Sequence, residues 1–498
     1  MPAPDEDRLP VVVAAGQCVE RTSIVDALDL AERAAAVALD QAPALRASVG
    51  RVTVVNMLSP APPGGAGALA RRVGCTPDVT EVTTIGGNSP QWSVNRAAAA
   101  IASGEHDAVL VAGAEAQRSL RARVGAGEDG ATADTSRHEL EAGLAPDPVV
   151  GDDRSGVGAA EMAAGMLAPV HVYAMFESVL AARAGRDFPE HRKALGELMA
   201  PFTEVAAGHP VAWFPEQRGP AELADVTPDN RLVAEPYPKR MCAVMGVDQG
   251  AAVVVTSLGA ARRAGVADRA VFVLAGADAV DVWFPSARPD LGASPAIAAA
   301  GAAALEVAGL GIDDVSAFDL YSCFPCAVQM GAAALGLELD DRRGFTVTGG
   351  LPYFGGPGND YTLHAIATMT DLVRQRGGTG LVTGLGWYAT KHSVGLYGTV
   401  PAEHGWRAGN TTVAQAAIDD SALVVAEEAD GPATVTASTV VMGPAGTPIA
   451  APVVARLADG RQVAAAAESS ELAALAGQNL VGRLVEVAGR PPRYRLTG

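Results

Sequence analysis

Residues 85–116 read IGGNSPQWSVNRAAAAIASGEHDAVLVAGAEA, and residues 354–387 read FGGPGNDYTLHAIATMTDLVRQRGGTGLVTGLGW. Each stretch has a Gly-Gly turn, then a helical pattern, and then an apolar run that ends at a glycine. The first glycine of the turn precedes the closing glycine by 27 residues in one stretch (86 to 113) and by 29 in the other (355 to 384). Chance similarity is the alternative in a chain with 56 glycines. We interpret the pair as an internal repeat, which predicts a duplicated architecture.

Both Gly-Gly turns precede a helical pattern, so both are expected at helix N-termini. If the two halves pack about a pseudo-twofold axis, these N-termini converge. Unpaired N–H groups and the helix macrodipole stabilise negative charge at such a position. The repeat therefore predicts a ligand pocket between the two turns.

Short β-branched runs alternate with Ala-rich helical patterns along much of the chain, which is typical of α/β layering. The predicted strands cover residues 9–15, 50–57, 108–114, 251–257, 270–275, 317–320, 380–385 and 393–398. The predicted helices cover residues 23–40, 90–103, 295–308 and 360–375. The pattern predicts an α/β fold in which each half is a sheet with crossing helices.

Two segments depart from this alternation. Residues 117–245 carry turn residues, charges and isolated aromatics, which is typical of a long insertion that covers the mouth of a site. Residues 409–498 alternate β runs with Gly-rich turns and predict a mostly β, barrel-like domain. The predicted domains are an N-terminal half (1–116 and 246–268), a loop domain insertion (117–245), a C-terminal half (269–408) and an additional β-rich C-terminal domain (409–498).

The composition disfavours several kinds of function. A formal net charge of −19 makes the chain a poor nucleic-acid binder, and no Gly-x-Gly-x-x-Gly motif follows the first predicted strand. We see no signal-peptide pattern and no apolar run that could span a membrane, and the five scattered cysteines are typical of a reduced, cytoplasmic protein. Cys323 and Cys326 have the spacing of a metal or redox pair, but no second pair of ligands accompanies them. No metal site is therefore predicted.

Four segments resemble the thiolase superfamily and follow in that family's order. They are NRAAAAIASGEHDAVLVAGAEA (95–116), VDQGAAVVV (247–255), FDLYSCFPCAVQ (318–329) and GGLPYFGGPGND (349–360). The resemblance implies a thiolase-like, five-layered fold of duplicated βαβαβαββ halves with an inserted loop domain. It is closest to the thiolase-like protein type 1 subgroup, which also carries an extra C-terminal β domain. It further implies acetyl-CoA acetyltransferase-like chemistry on a coenzyme A thioester, with no bound cofactor.

The chain departs from the family at the catalytic positions. The family's nucleophilic Cys falls on Gly87, and the His of its Gly-His-Pro motif falls on Gly356. The second catalytic Cys belongs in TGLGW (383–387), which has none, and the residue that orients water falls on Tyr321. Acyl exchange with CoA needs a thiolate, which is both a good nucleophile and a good leaving group. Ordinary thiolysis is therefore doubtful; the alternatives are an acyl-CoA-processing enzyme with altered catalysis and a non-catalytic acyl-CoA-binding or protein-partner module.

Other side chains of these segments supply the candidate site. The catalytic candidates are Cys323, His364, His392 and Ser89, and the substrate-binding candidates are Asn88, Tyr321, Gly355, Gly356 and Asn359. A small buried thiol is the alternative for Cys323, and a buried core histidine is the alternative for each His. Helix capping is the alternative for the two Asn residues. A homodimer, or a partner protein bound through the C-terminal domain, is also expected.

Two features of the insertion have their own interpretation. A literal Gly208-His209-Pro210 lies there, and we interpret it as unrelated to the family motif because it is far from the matching segment. Trp213 and Phe214 follow it. These two aromatics either contact a bound pantetheine or acyl chain or pack within the loop domain.

Overall fold

A computed structural model describes residues 5–126 and 143–497 of the chain, so residues 127–142 of the predicted insertion lie outside the described residues. The strands in those ranges are β1 (Pro10–Val19), β2 (Val49–Val54), β3 (Val79–Thr83), β4 (Ala108–Ala116), β5 (Val149–Val150), β6 (Leu232–Ala234), β7 (Tyr237–Pro238), β8 (Asp248–Ser257), β9 (Val271–Val280), β10 (Ala317–Asp319), β11 (Thr379–Gly386), β12 (Lys391–Gly398), β13 (Arg407–Ala408), β14 (Gly431–Ser438), β15 (Val441–Met442), β16 (Pro448–Ala450), β17 (Pro452–Leu457), β18 (Gln462–Ala467), β19 (Leu484–Ala488) and β20 (Arg493–Leu496). The α-helices are α1 (Ala27–Asp40), α2 (Gly65–Arg72), α3 (Ser89–Ser103), α4 (Gln117–Gly125), α5 (Ala159–Ala164), α6 (Pro169–Arg183), α7 (Phe188–Gly208), α8 (Pro220–Ala224), α9 (Leu258–Arg263), α10 (Pro295–Ala308), α11 (Pro325–Ala334), α12 (Tyr361–Arg376), α13 (Thr412–Asp420) and α14 (Leu472–Leu475).

The large mixed sheet shows the duplication in its strand order. The order is β10-β11-β12-β9-β1-β8-β4-β2-β3-β5, and β13 pairs with β9 beside it. From the central β1–β9 pair outward, β8, β4 and β2 follow on one side, and β12, β11 and β10 follow on the other. On both sides the first two of these pairings are antiparallel and the third is parallel. The two halves therefore repeat one topology.

The helices complete five layers. Helices α3 and α12, one from each half, contact each other and strands of both halves, so they form the middle layer. Helix α1 packs on the outside of the first half and α10 on the outside of the second. Because successive strand residues point to opposite faces, Val11 joins the apolar cluster beneath α1, whereas Val12 joins the cluster that contains Val94 of α3. The predicted α/β, thiolase-like five-layered class is confirmed.

One predicted boundary was wrong. The apolar pattern predicted a helix from residue 23, but α1 begins at Ala27 and Asp26 is extended. Side chains of α4 explain the delay, because they bind the preceding backbone. Arg118 donates to the carbonyls of Thr22 and Ser23, and Ser119 Oγ accepts the N–H of Val25.

The C-terminal region forms a closed five-stranded barrel in the order β14-β17-β18-β20-β19. Its interior holds Val435, Val453 and Val463, which form a core of their own. The barrel is tied to the insertion, because β15 pairs with both β16 and β6. Helix α13 precedes the barrel and packs near β9, where Gln415 hydrogen-bonds both the N–H and the carbonyl of Val280. None of the helices in the described ranges combines the length and hydropathy needed to cross a membrane.

Candidate functional site

The two Gly-Gly turns meet at the interface between the halves. The N–H of Gly86 donates to Oδ1 of Asn359 over 2.9 Å, and Oγ1 of Thr362 donates to the carbonyl of Gly87 over 2.7 Å. The second turn needs glycine, because φ is 113° at Gly355 and 50° at Gly358. Each turn leads into its own helix of the middle layer, α3 or α12. The fold therefore brings the two turns into direct contact.

A cavity of about 410 Å³ opens between these turns, and we call it the turn cavity. Its walls come from both halves and from the insertion, including β6. The lining residues are Leu58, Ile85, Gly86, Gly87, Pro169, Val170, Tyr173, Val233, Cys242, Ala243, Met245, Tyr321, Cys323, Phe324, Leu351, Gly356, Gly358, Asn359, Leu385 and Trp387. No His and no charged residue of the described ranges belongs to this lining. The turn cavity is thus an apolar space with few polar groups.

A second cavity, of about 750 Å³, lies on the other side of the first turn, and we call it the outer cavity. Asn88, Ser89, Lys391 and His392 line it. The first turn therefore divides the predicted site residues between two spaces. Tyr321, Cys323, Gly356 and Asn359 line the turn cavity. Gly355 and His364 line neither.

The position that corresponds to the family's nucleophile has no room for a side chain. A Cβ atom on Gly87 would overlap the hydroxyl of Tyr321 and lie 2.6 Å from the carbonyl oxygen of Leu385. At Gly356, where the family has its His, the nearest atoms to such a Cβ are Leu351 Cδ2 and the Val244 carbonyl, both at 3.4 Å. A side chain at residue 87 is therefore excluded by a phenol and a backbone carbonyl, whereas residue 356 has room for one.

Cys323 lines the turn cavity, but its surroundings oppose a thiolate. Burial raises the pKa of the Cys323 thiol to about 12, although Tyr173 hydrogen-bonds it. The hydroxyl of Tyr173 also donates to the carbonyl of Trp387 over 2.9 Å and accepts the N–H of Ala389 over 3.0 Å. Its ring stacks on Phe324 with centroids 4.8 Å apart. The thiol is therefore protonated at neutral pH. The two interpretations of Cys323, as a residue of the cavity and as a small buried thiol, both apply.

The two candidate histidines lie away from the turn cavity. His364 is fully buried, its Nδ1 lies 2.8 Å from Oε1 of Gln17, and burial lowers its pKa to about 3. His392 faces the outer cavity, and its Nε2 lies 3.1 Å from Oδ2 of Asp281 and 3.3 Å from Oγ of Ser294. Neither imidazole lines the cavity that contains Cys323.

The capping interpretation of the two Asn residues was wrong. Asn88 is at the N-cap of α3 but has αR backbone angles and makes no capping hydrogen bond; its Nδ2 donates to Ser393 Oγ over 3.3 Å. Asn359 instead joins the two halves: besides accepting the N–H of Gly86, it donates from Nδ2 to the carbonyl of Asn56 over 2.9 Å. The Ser89 hydroxyl also has a hydrogen-bond partner, because it donates to the carbonyl of Thr84 over 3.0 Å.

The insertion braces the second turn with its backbone. The N–H of Trp213 donates to the carbonyl of Phe354 over 2.7 Å, and the N–H of Phe214 donates to that of Tyr353 over 3.0 Å. Neither aromatic side chain lines the turn cavity. His209 packs edge-on against Phe354 at 5.0 Å, and burial lowers its pKa to about 4. These residues support the turn and do not line the cavity.

Three residues at the site escaped the sequence analysis. Tyr173 and Trp387 line the turn cavity, but nothing in their local pattern distinguishes them from packing aromatics. Lys391 is buried beneath the first turn, where its Nζ donates to the carbonyls of Ile85 over 2.6 Å and Asp152 over 3.2 Å. Burial lowers the pKa of Lys391 to about 8. A lysine at the start of an apolar strand was the available signal, because lysines are seldom buried without partners.

Asp319 lies at the end of β10, two residues before Tyr321, and its titration leads to a testable prediction. It accepts the N–H of Val347 over 2.9 Å and the hydroxyls of Thr346 and Tyr361 over 3.0 and 3.1 Å. Burial nonetheless raises the pKa of Asp319 to about 6. The folded protein then binds this proton more tightly than the unfolded chain does. Its contribution to stability is present below the unfolded pKa and is lost as the pH rises to 6 and above, by roughly 3 kcal/mol at most.

Asp319→Asn removes that titration. We expect the free energy of unfolding of the wild type, relative to Asp319→Asn, to decrease between pH 4 and pH 6.5. Urea unfolding of both proteins at several pH values measures the difference, and Asp40→Asn on the surface serves as the control. Parallel pH profiles for wild type and Asp319→Asn would contradict the assignment.

Solved structures show what this chain is similar to. An SCP2-thiolase-like protein type 1 from Mycobacterium smegmatis, described as monomeric, is 33% identical to it, with 99% of this chain and 100% of that chain covered and a TM-score of 0.83. An acetyl-CoA acetyltransferase from Syntrophomonas wolfei is 17% identical over 79% of this chain and 99% of that chain, with a TM-score of 0.57. The Ltp2-ChsH2(DUF35) aldolase is 19% identical over 78% of this chain and 97% of that chain, with a TM-score of 0.60. The last two likenesses concern the fold alone.

No protein-family profile matches the chain, and no curated protein does.

Proposed function

Because the chain belongs to the thiolase superfamily, among the SCP2-thiolase-like proteins of type 1, we propose that it binds an acyl-CoA thioester in the turn cavity and forms no acyl-enzyme at residue 87. The observation that carries the proposal is the closure of position 87 by Tyr321 and Leu385 while the cavity beside it stays open.

The shape and lining of the turn cavity support thioester binding. A space of about 410 Å³ is within the usual range for small-molecule sites, which are mostly apolar with a few placed polar groups. An acyl chain and the end of a pantetheine arm match that description, since both are slender and largely apolar. The surrounding turns belong to the middle-layer helices, so the bound thioester would lie at the centre of the duplicated fold.

The absence of a side chain at Gly87 supports a mechanism without covalent capture. Cys242 and Cys323 are the thiols of the described lining, and burial raises the pKa of each to about 12. A protonated thiol is a poor nucleophile, and no His or carboxylate among the described lining residues could take its proton. Any reaction at this site therefore proceeds on a thioester that is held and polarised and not transferred to the protein.

Calorimetry and mass spectrometry test this proposal together. We expect butyryl-CoA and acetoacetyl-CoA to bind, the intact mass of the protein to stay unchanged after acid quenching, and added CoA to release no acetyl-CoA from acetoacetyl-CoA. Cys323→Ala is the matched control, and it should behave like the wild type in both mass and binding. An acyl adduct on the wild type, whether or not Cys323→Ala removes it, would contradict the non-covalent mechanism. Failure of both thioesters to bind would contradict the proposal itself.

A non-catalytic binding module is the second candidate. The observation that favours it is the lack of any His or charged side chain in the described lining of the turn cavity, which leaves no general base within reach. The C-terminal barrel would give such a module a second domain. Thioester binding without any turnover of acyl-CoA over a range of chain lengths would support this candidate over an enzyme.

We also propose that the protein is a monomer, in place of the expected homodimer. The support is that β5 pairs with β3 and so covers the outer edge of that strand within one chain. An uncovered edge strand is a natural site for pairing between two chains. Size-exclusion chromatography with light scattering should give the mass of one chain, 50.4 kDa. A mass of two chains that persists on dilution would contradict this.

A further inference from the structure

Beside the indole N–H of Trp387, Tyr321 has the other side-chain donor without a partner in the described lining of the turn cavity. Its hydroxyl makes no hydrogen bond within residues 5–126 and 143–497, although the side chain is only 7% exposed. The other polar groups are engaged. Tyr173 binds two backbone groups, Asn359 binds backbone at both ends of its amide, and Cys242 Sγ donates to the carbonyl of Pro238 over 3.5 Å.

The position of the Tyr321 hydroxyl, like its lack of a partner, favours a role in ligand binding. It occupies the space in which a side chain on residue 87 would begin. Burial raises the pKa of Tyr321 well above its ordinary value, so the phenol keeps its proton at neutral pH and can donate it in a hydrogen bond. A donor that a bound ligand shields from water costs free energy unless it gains a new partner. A ligand that brings an acceptor oxygen to this point recovers that cost, whereas a ligand without one does not.

We propose that the Tyr321 hydroxyl donates a hydrogen bond to a carbonyl oxygen of the bound acyl thioester and is the specificity-determining residue of the turn cavity. The proposal rests on the proposed function. The Tyr321 hydroxyl then occupies the place from which a nucleophile on residue 87 would attack. The site therefore recognises and polarises a carbonyl group and does not accept an acyl group. The ligand class is an acyl thioester whose carbonyl lies beside Gly87, with an otherwise apolar acyl chain.

A pair of ligands that differ only in the carbonyl tests this assignment. Butyryl-CoA has a thioester carbonyl, and S-butyl-CoA, a thioether, has none. We expect the wild type to bind butyryl-CoA more tightly than S-butyl-CoA. Tyr321→Phe should weaken binding of butyryl-CoA about tenfold, which is the size of one hydrogen bond to an uncharged acceptor, and should leave binding of S-butyl-CoA unchanged.

Tyr353→Phe is the matched control. Its hydroxyl is also buried and has no partner in the described residues, but it does not line the turn cavity. This variant should bind both ligands as the wild type does. Infrared spectra of ¹³C-labelled butyryl-CoA give a second measurement, because a hydrogen-bonded carbonyl absorbs at lower frequency. The band should shift down on binding to the wild type and to Tyr353→Phe, and less on binding to Tyr321→Phe.

The outcomes separate this inference from the function on which it depends. Equal affinity of the wild type for the two ligands, or equal losses for both in Tyr321→Phe, would overturn the role of Tyr321 and leave thioester binding intact. If neither ligand binds the wild type, the proposed function fails and this assignment fails with it. A carbonyl band unchanged on binding to the wild type would overturn the hydrogen bond even where Tyr321→Phe folds poorly.

Discussion

Gly87→Ala destabilises the protein, whereas Gly356→Ala stabilises it slightly. The new Cβ at residue 87 overlaps the Tyr321 hydroxyl and comes within 2.6 Å of the Leu385 carbonyl, which is backbone and cannot turn aside. Overpacking of this kind costs roughly 1–3 kcal/mol or more. At Gly356 the nearest atoms are 3.4 Å away, so the Cβ fits. Alanine there should add about 0.4–1 kcal/mol by restricting the unfolded chain.

Urea unfolding of the two single variants measures the contrast. Adding Tyr321→Ala to Gly87→Ala should recover part of the loss, because it removes the phenol, but not all of it, because the Leu385 carbonyl stays. Gly87→Cys should likewise give no thiolase activity, since the thiol has neither space nor a base beside it. Equal stability of Gly87→Ala and Gly356→Ala would show that position 87 is more open than the structure has it.

Glu177→Ala is expected to be among the most destabilising single substitutions. The carboxylate is completely buried on α6; Oε1 lies 2.6 Å from His191 Nε2 and accepts Gln329 over 2.7 Å, and Oε2 accepts the Tyr237 hydroxyl over 2.6 Å. Alanine leaves the buried His191 and Tyr237 and the half-buried Gln329 without this partner. Such a loss costs roughly 3–5 kcal/mol.

The destabilisation should extend to the turn cavity, because Tyr173, Pro169 and Val170 of its wall also lie on α6. Denaturant unfolding compares Glu177→Ala with Glu204→Ala, an exposed glutamate on α7 that should change stability by less than about 0.5 kcal/mol. Glu177→Gln retains a carbonyl acceptor and should lose less than Glu177→Ala. A Glu177→Ala protein as stable as Glu204→Ala would mean that the network does not hold these helices together.

The architecture could be predicted from the sequence because the sequence contains the same pattern twice. Turn, helix and strand recur with nearly the same spacing, and both copies fold as the repeat predicts, so the α/β fold class is confirmed. The site resisted prediction because it depends on which way individual side chains point. His364 follows the second turn in the sequence, yet it lies on the face of α12 that meets Gln17 of β1. A sequence pattern gives the helix but leaves its rotation to packing.

The turn residues show the same limit at a smaller scale. Asn88 precedes a helix and so favours a cap, but its αR backbone prevents the extended geometry that capping needs. Asn359 was expected to cap a helix or to bind substrate. Its side chain ties one half of the fold to the other instead of capping α12, and its role in substrate binding stays a prediction. The closure of Gly87 by Tyr321 spans 234 positions between 87 and 321, so only the folded chain could reveal it.

The pairing of β6 with β15 has a consequence for synthesis on the ribosome. Val233 of β6 forms part of the turn cavity, and the next residues are held from the far end of the chain: the Glu235 carbonyl accepts the Thr439 hydroxyl over 2.8 Å, and Oε2 accepts the N–H of Gly477 over 2.8 Å. Nascent chains fold as they emerge from the N-terminus. A polypeptide that has extended only through the second half thus lacks the segments that fasten this wall, so the pocket matures as one of the last events of translation.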